Sequence, residues 1–277
     1  SKSIARHFVK PQNIHFEVDA EGLNGKKVVG VGGFSTVLKC HYRGEEMAYK
    51  QFHMQGAPKL TQDMIDEIDI MVSLPQHPNI ASVRGVCLKG KQVDGGGVPF
   101  GPGYMLEYAL RGSFRSVLDD ATIDLSWDVR MSVVKQICDG MAFLHNQEPQ
   151  SIFHCDLKTA NLLVYGADDG VYRIKIADFG VSVIKAVTTA ASMQGGGFKG
   201  SLLWSAPDRF VRGVRYAAAD DVFSLAMTVL EIISRKLPWD GMTAQEVQGC
   251  LMRRFKVNQR RVARGESEED QRLDWLE

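Results

Sequence analysis

Four residues in two short segments could together handle a phosphate group. Asp156, Lys158 and Asn161 lie in the run His-Cys-Asp-Leu-Lys-Thr-Ala-Asn at 154–161, and Asp178 opens the run Asp-Phe-Gly. Phosphoryl transfer depends on positioning and charge neutralisation more than on covalent chemistry with the protein. Magnesium prefers oxygen ligands, which an amide and a carboxylate supply. Isolated carboxylates are usually solvated loop residues, but this joint spacing favours a site for a metal-bound triphosphate.

A glycine-rich segment near the start of the chain is a second candidate for phosphate contact. It runs from Gly30 to Val37, and its pattern predicts a strand, a turn and a strand. Glycines let backbone amides approach phosphate oxygens without an intervening side chain. Such a hairpin alone is as often a simple tight turn. A dinucleotide-binding motif would need a helix after the glycines, whereas Val37 to Cys40 continues as a strand pattern.

Lys50 lies on a strand pattern that predicts burial, where a lysine needs an anionic partner. The alternative is a solvent-facing lysine on an edge strand. Glu67 is the preferred partner, because Ile68 and Met71 place it beside the buried stripe of a predicted helix at 60–74. Three nearby acidic residues compete for this role: Asp63, Asp66 and Asp69.

The surrounding patterns predict a stranded region followed by a helical one. Short β-type runs occupy 28–52 and precede the helix at 60–74. Glycine and proline residues at 89–103 predict a flexible loop before an apolar strand. Residues 1–27 predict an N-terminal extension of unreadable role, with a hint of alternation at Ile14 and Phe16.

Beyond residue 112 the patterns are mainly helical. Apolar positions recur at helical spacing in 127–145, 220–234 and 243–255. Between the first two helices, 162–164 and 172–176 predict a two-stranded ribbon joined by a turn.

The composition is that of an ordinary globular protein. The 277 residues are 44% hydrophobic and 24% charged, and 33 basic residues balance 33 acidic ones. This balance predicts no nucleic-acid partner, and no apolar run approaches the ~20 residues of a membrane-spanning helix. The five cysteines are scattered, which predicts reduced thiols and a cytoplasmic location. The sequence does not indicate an oligomeric state.

From about Val28 to at least Asp240, these features resemble the protein-kinase superfamily. The family's glycine-rich loop, strand lysine, helix glutamate, catalytic loop, Asp-Phe-Gly and closing motif can all be placed. The resemblance implies an α+β, bilobal fold with a small antiparallel β-sheet N-lobe containing one main helix at 28–108. A larger, mainly helical C-lobe would occupy 109–277. The arginine that pairs with the family's closing motif is not identifiable, so either the C-lobe is truncated at its end or this member is divergent.

The resemblance implies individual catalytic roles. Lys50 would hold the α- and β-phosphates of ATP while Glu67 pairs with it. Asp156 would accept or orient the proton of the substrate hydroxyl, and Asn161 and Asp178 would bind Mg²⁺.

It also implies an adenine site, with Leu106 as the gatekeeper and the backbone of 107–109 as the hinge. Asp221 resembles the buried helix aspartate that steadies the catalytic loop. The residues expected around ATP are Gly30, Val31, Gly32, Gly33, Phe34, Ser35, Val37, Ala48, Lys50, Leu106, Glu107, Tyr108, Ala109, Asn161, Leu163 and Asp178.

Lys158 resembles the serine/threonine pattern, and its ammonium could neutralise the transferring phosphoryl group. Ser201 would offer a hydroxyl between Asp156 and Lys158. The run His-Pro-Asn-Ile at 77–80 and Trp204 resemble the tyrosine-kinase-like group of serine/threonine kinases. The implied activity is transfer of the γ-phosphate of Mg-ATP to serine or threonine hydroxyls of protein substrates in signalling, and dual specificity stays open.

Three residues depart from the family pattern. Ser35 replaces the third loop glycine, Asp208 replaces the closing-motif glutamate, and Cys155 replaces an arginine that often receives an activation-loop phosphate. Lys185 and Lys199 could substitute as cations. We therefore hypothesise that activity needs no phosphate on three hydroxyl residues: Thr188, Thr189 and Ser192.

Two other functions compete with protein phosphorylation. A pseudokinase would keep the fold and act as a nucleotide-binding interaction module, but Lys50, Asp156, Asn161 and Asp178 are all intact. A small-molecule phosphotransferase of related fold would have a weaker platform for protein substrates than the segment at 200–208 indicates.

Overall fold

The computed structural model describes residues 2–17, 19, 26–33, 35–54, 60–89, 100–166, 170–179, 183–184, 201–210 and 216–263. The chain divides into two compact units. Unit 1 contains Ser1–Phe143 and Ala160–Val181, and unit 2 contains Leu144–Thr159 and Ser182–Glu277. The lobe boundary between residues 108 and 109 stays a prediction.

Unit 1 contains a six-stranded sheet in which the named strands pair antiparallel. Its spatial order is β1-β3-β4-β6-β5, and β2 also pairs with β3. The strands are β1 (His15–Phe16), β2 (Val28–Val31), β3 (Ser35–Tyr42), β4 (Glu45–Phe52), β5 (Val83–Cys87) and β6 (Gly103–Glu107). The stranded prediction for 28–52 is confirmed.

The two faces of this sheet have different surroundings because side chains alternate along each strand. Tyr49 points to a face that is packed by a hydrophobic cluster, whereas its neighbour Lys50 points to the opposite face. The buried cluster consists of Val9, Ile14, Leu38, Cys40, Met47, Tyr49, Cys87, Phe100 and Met105. The packed face therefore forms the hydrophobic core beside the sheet, and the other face carries Lys50, the candidate phosphate-binding residue.

The N-terminal residues form part of this packed unit. Helix α1 (Lys2–Arg6) contacts the later helix α2 (Gln62–Ser73). Phe8 then pairs in parallel with Val86 at the edge of β5. The Val9 N–H donates to Val86 O at 2.8 Å, and the Val86 N–H donates to His7 O at 2.7 Å. The predicted N-terminal extension thus closes one edge of the sheet.

Gly85 makes room for this N-terminal segment, residues 7–9. A Cβ atom at Gly85 would lie 2.4 Å from Val9 Cγ2 and 2.7 Å from Met105 Cε. Val9 itself is buried. A glycine in β5 therefore accommodates the side chain that the N-terminal segment inserts.

Three helices of unit 1 follow from local signals. Helix α2 begins after Thr61, whose hydroxyl accepts from the Met64 N–H at 3.4 Å. Helix α3 (Phe114–Asp119) was not predicted, although Ser113 caps it and its buried residues recur at helical spacing. Helix α4 (Trp127–His145) confirms the prediction for that segment and ends in unit 2.

After the end of α4, the first strand of unit 2 is β7 (Ile152–Phe153). The predicted ribbon of unit 1 then follows as β8 (Leu162–Tyr165) and β9 (Arg173–Ile176), after which β10 (Val183–Ile184) pairs with β7.

Among the described residues of unit 2, two short 3-10 helices (Leu202–Trp204 and Pro207–Phe210) precede two α-helices. The α-helices are α5 (Ala218–Ser234) and α6 (Ala244–Ala263), and the second extends beyond the predicted 243–255. Among the described residues, no helix is both long and apolar enough to cross a membrane.

Candidate active site

The glycine-rich segment forms a tight hairpin between β2 and β3. Gly30 pairs with Val37, and the Gly32 N–H donates to Ser35 O at 2.8 Å. A strand follows the glycines, so the local structure matches the predicted strand, turn and strand and not a dinucleotide-binding motif. Phe34 lies outside the described residues.

Packing within the protein does not require glycine at these positions. A Cβ atom would lie 3.7 Å from Val37 Cβ if added at Gly30, and 3.5 Å from Ser35 O if added at Gly32. At Gly33 it would meet nothing within 4 Å. Val31 beside them is 77% exposed. The absence of side chains therefore leaves open space beside backbone amides, which is what a phosphate-binding loop needs.

Lys50 lies between two carboxylates in unit 1. Its Nζ is 2.6 Å from Glu67 Oε1 and 2.7 Å from Asp178 Oδ1. Lys50 and Glu67 are both buried, while the Asp178 side chain is 48% exposed. Burial opposes the charge on Lys50, but the carboxylates of Asp178 and Glu67 outweigh it and hold the pKa of Lys50 well above its usual value. Lys50 therefore stays cationic.

The structure selects Glu67 from the acidic residues on α2. Asp66 instead accepts from Gln62 Nε2 at 2.6 Å, at an exposed position. Glu67 Oε1 also accepts from the Tyr104 hydroxyl at 2.6 Å, a contact that sequence reasoning missed. Tyr104 pairs with Lys50 across β4 and β6, a register that a single sequence does not reveal.

Asn161 and Asp178 lie near the same end of the β8–β9 ribbon, just outside its two strands. Leu162 pairs with Ile176, so the residues just outside both strands lie side by side. The Ala177 N–H donates to Asn161 O at 2.9 Å, which ties the two segments together. Asp178 has a φ of 67°, a left-handed conformation that is uncommon outside glycine.

This donor set fits a magnesium ion. Asn161 offers an amide oxygen and Asp178 a carboxylate oxygen, and magnesium is usually held by one or two such groups together with phosphates and water. In the described part of the chain, no three His, Cys, Asp or Glu side chains form a metal-binding group of their own. A metal here would therefore depend on the nucleotide for much of its coordination.

Three of the predicted ATP contacts, Val37, Ala48 and Leu106, lie on the Lys50 face of the sheet. Leu106 is buried and pairs with Ala48, which is half-buried like Val37 and Leu163. Within the hinge, Glu107 O accepts from the Tyr165 hydroxyl at 2.9 Å. The next two residues continue as irregular chain: the Tyr108 N–H donates to Glu46 O at 3.4 Å, and Ala109 O accepts from the Gly112 N–H at 2.9 Å.

The catalytic-loop residues form a second group, within unit 2. Lys158 Nζ is 2.9 Å from Asp156 Oδ2 and donates to Ser201 Oγ at 2.6 Å. Of the two predicted contacts of Ser201, the structure shows the one with Lys158. One cation is shared between a carboxylate and a hydroxyl.

Asp221 on α5 holds the backbone of this loop. Its two oxygens accept from the N–H groups of His154 and Cys155, both at 2.9 Å. His145 Nε2 lies 2.8 Å from Asp221 Oδ2, and the Asp221 side chain is fully buried. Cys155 has a φ of 67°, so these bonds fix an uncommon backbone conformation directly before Asp156.

A family profile described as "Protein kinase domain" matches residues 23–274. The chain belongs to the protein kinase domain family. The predicted membership of the protein-kinase superfamily and the predicted α+β fold class are confirmed. Membership in this family implies ATP as a substrate and a divalent metal.

The kinase domain is similar to parts of several larger proteins. "Probable serine/threonine-protein kinase drkD" of Dictyostelium discoideum is 33% identical over 220 residues, covering 79% of this chain and 16% of the relative. "Mitogen-activated protein kinase kinase kinase" of Drosophila melanogaster is 32% identical over 232 residues, covering 81% and 18%. "Mitogen-activated protein kinase kinase kinase 7" of Homo sapiens is 32% identical over 226 residues, covering 81% and 33%. The chain thus spans a third or less of the length of these relatives.

Glu231 is a further buried carboxylate of the kinase domain that sequence reasoning missed. It accepts from the Thr159 hydroxyl, from the Thr159 N–H at 3.3 Å and from Trp204 Nε1 at 3.1 Å. Glu231 is completely buried on α5. The sequence feature that could have identified Glu231 is a glutamate within an apolar helix pattern, because a buried carboxylate needs polar partners.

The residues that depart from the kinase pattern have distinct surroundings. Cys155 is buried, and its thiol cannot supply the positive charge that an arginine would offer. Arg209 directly follows Asp208 in the sequence. Its Nη1 lies 3.5 Å from Asp220 Oδ2, and its guanidinium carbon lies 4.7 Å from the centre of the Tyr216 ring. Burial raises the pKa of Asp220. The predicted phosphorylation residues Thr188, Thr189 and Ser192 and the alternative cations Lys185 and Lys199 lie outside the described residues.

Proposed function

We propose that this domain transfers the γ-phosphate of Mg-ATP to serine or threonine hydroxyls of protein substrates in signalling. The observation that carries the proposal is the placement of Lys50 between the carboxylates of Glu67 and Asp178. A buried lysine with two carboxylate partners is positioned to exchange one of them for a phosphate oxygen. The names of the relatives support the same activity.

The nucleotide would be held by backbone and side-chain groups of unit 1. The open hairpin at Gly30 to Gly33 would place amides against the phosphates, and Lys50 would bind the α- and β-phosphates. Asn161 and Asp178 would hold Mg²⁺, which when bound neutralises phosphate charge. The hinge backbone at 107–109 would bind adenine.

In unit 2, Asp156 would accept or orient the hydroxyl proton of the protein substrate. Lys158 would neutralise charge on the transferring phosphoryl group, because its ammonium lies beside Asp156. Its place two residues after Asp156 supports serine/threonine specificity. A cytoplasmic location remains a prediction, supported by the five free cysteines.

The test is a kinase assay of the purified domain with magnesium, labelled ATP and generic protein substrates. Asp156→Asn and Lys50→Met should each lower turnover by about 10²- to 10⁴-fold. Lys135→Met is the matched control, since that lysine side chain is 76% exposed on α4. Phosphoamino-acid analysis should detect phosphoserine or phosphothreonine.

Wild-type turnover equal to that of Asp156→Asn and Lys50→Met would refute the proposed kinase activity. ATP binding without transfer would instead indicate a nucleotide-binding interaction module. Phosphotyrosine as the main product would refute the specificity.

A further inference from the structure

Tyr104 shares one carboxylate oxygen with Lys50. Its hydroxyl donates to Glu67 Oε1 at 2.6 Å, and Lys50 Nζ contacts the same oxygen at 2.6 Å. Tyr104 has no exposed surface. A buried tyrosine hydroxyl thus joins the ion pair that the proposed reaction depends on.

We propose that Tyr104 is a positioning residue for phosphoryl transfer, whose hydroxyl keeps the Glu67 carboxylate in place while Lys50 engages ATP. This inference rests on the proposed kinase function. Tyr104 would act through Glu67 and Lys50 and would not touch the substrate.

The different surroundings of the two carboxylates show why a third donor matters. Asp178 is about half exposed, so solvent can satisfy it when Lys50 moves toward a phosphate. Glu67 is buried, and a buried carboxylate that loses a partner pays a desolvation cost. The Tyr104 hydroxyl donates to Glu67 without adding charge. It therefore stabilises Glu67 when the bond to Lys50 lengthens, and it does not repel Lys50.

The position of the Tyr104 ring is fixed by the sheet. Tyr104 pairs with Lys50 across adjacent strands, and its ring packs edge-to-face on Phe52 with centroids 5.9 Å apart. The preceding Gly103 permits this close approach, because a Cβ atom there would lie 2.1 Å from Lys50 O. Backbone geometry therefore aims the hydroxyl at Glu67.

The hydroxyl also stays protonated. Burial and the neighbouring Glu67 carboxylate raise the pKa of Tyr104 well above its usual value. Tyr104 is therefore a hydrogen-bond donor across the pH range in which kinases are assayed.

The decisive experiment compares Tyr104→Phe with Tyr49→Phe in the full chain. Tyr49 is an equally buried tyrosine on β4, but its hydroxyl donates to Gly101 O at 2.8 Å, away from the ion pair. Loss of a hydrogen bond to a charged group predicts about a tenfold fall in kcat for Tyr104→Phe. Tyr49→Phe should change kcat less than twofold even if both variants lose similar thermal stability. The KM for the protein substrate should not change in either variant.

A double-mutant cycle tests whether Tyr104 acts through Glu67. In a Glu67→Gln background, Tyr104→Phe should have less than a threefold effect on kcat and on the Kd for Mg-ATP measured by calorimetry. Full additivity, or equal losses in Tyr104→Phe and Tyr49→Phe, would overturn the proposal.

The Mg-ATP affinity separates this proposal from the proposed function. If wild-type turnover equals that of Asp156→Asn, the kinase assignment fails, while a Kd that is weakened by Tyr104→Phe alone still supports the positioning role. An unchanged Kd and kcat in Tyr104→Phe, with an active wild type, overturns the Tyr104 inference alone.

Discussion

The Lys158 ammonium donates to the Ser201 hydroxyl at 2.6 Å, although 43 positions separate the two residues. The same ammonium lies 2.9 Å from Asp156. Ser201 therefore helps to fix the lysine beside the proposed catalytic aspartate, and it links the catalytic loop to the segment before the closing motif.

Removing the Ser201 hydroxyl should lower turnover. Ser201→Ala takes away one partner of Lys158, and we expect kcat to fall about tenfold, as for a lost hydrogen bond to a charged group. Ser201→Thr keeps the hydroxyl and should retain most of the activity. Steady-state kinetics of both variants provide the measurement, and equal activity of the alanine and threonine variants would contradict the role of the hydroxyl.

Gly32→Ala should affect nucleotide binding more than folding. The added Cβ would lie 3.5 Å from Ser35 O, an ordinary contact, so the free energy of unfolding should change by less than about 0.5 kcal/mol. The added methyl group would lie where the phosphate is proposed to bind, and it would weaken the hydrogen bonds between the backbone amides and the phosphate oxygens. We therefore expect the KM for ATP to rise about tenfold.

Gly44→Ala is the control for Gly32→Ala, because it should affect folding more than nucleotide binding. Gly44 has a φ of +83°, which disfavours a side chain by about 1–2 kcal/mol, and it lies in the β3–β4 turn outside the predicted ATP contacts. It should lower the melting temperature and leave the KM for ATP unchanged. The reverse pattern in the two variants would argue against a phosphate-binding role.

The N-terminal segment at residues 7–9 should contribute to stability through one side chain. Val9 is buried against Gly85, whereas the neighbouring Phe8 is 53% exposed. Val9→Ala should lower the free energy of unfolding by about 2 kcal/mol, and Phe8→Ala by less than about 0.5 kcal/mol. Chemical denaturation measures both, and hydrogen exchange at the Val86 amide should accelerate in the Val9 variant alone.

Lys26→Met should stabilise the domain in a pH-dependent way. Lys26 is buried with its Nζ 5.1 Å from the centre of the Phe16 ring, and burial lowers the pKa of its ammonium. Below this lowered pKa, the folded state carries the cost of a buried charge. As the pH rises from this lowered pKa toward the ordinary value of 10.5, folded Lys26 loses its proton before unfolded Lys26 does. The free energy of unfolding of the wild type therefore increases over this pH range.

The melting temperature of Lys26→Met should therefore exceed that of wild type at pH 7, and the difference should shrink toward pH 10. Scanning calorimetry at several pH values measures this. A difference that grows with pH would have the wrong sign for a lysine with a lowered pKa.

Activity should not require phosphorylation of the segment after Asp-Phe-Gly. Cys155 stands where many kinases place the arginine that receives this phosphate, and it is buried. The triple variant T188A/T189A/S192A should therefore keep its turnover within about tenfold of wild type. A larger loss, in the same assay used for wild type, would show that another cation takes the role of that arginine.

Much of the site could be predicted from the sequence because its residues lie in short contiguous motifs. The glycine hairpin, the helix with Glu67 and the ribbon between Asn161 and Asp178 all follow from local patterns. The roles assigned to these residues stay predictions.

Contacts that depend on strand register or on distant segments could not be predicted. The Tyr104–Glu67 bond needs the alignment of β4 with β6, and Glu231 meets Thr159 and Trp204 only in the folded unit. Likewise, residues 7–9 showed no strand pattern, because the exposed edge of β5 supplies the pairing.

The pairing of residues 7–9 with β5 has a practical consequence for how this domain is produced. The family profile begins at residue 23, so a protein trimmed to that boundary would lack the segment that pairs with Val86 and fills the space at Gly85. Its β5 would then present free N–H and C=O groups beside an apolar gap, and such an edge recruits strands from other molecules. We therefore expect a shortened domain to self-associate more strongly than the 277-residue chain.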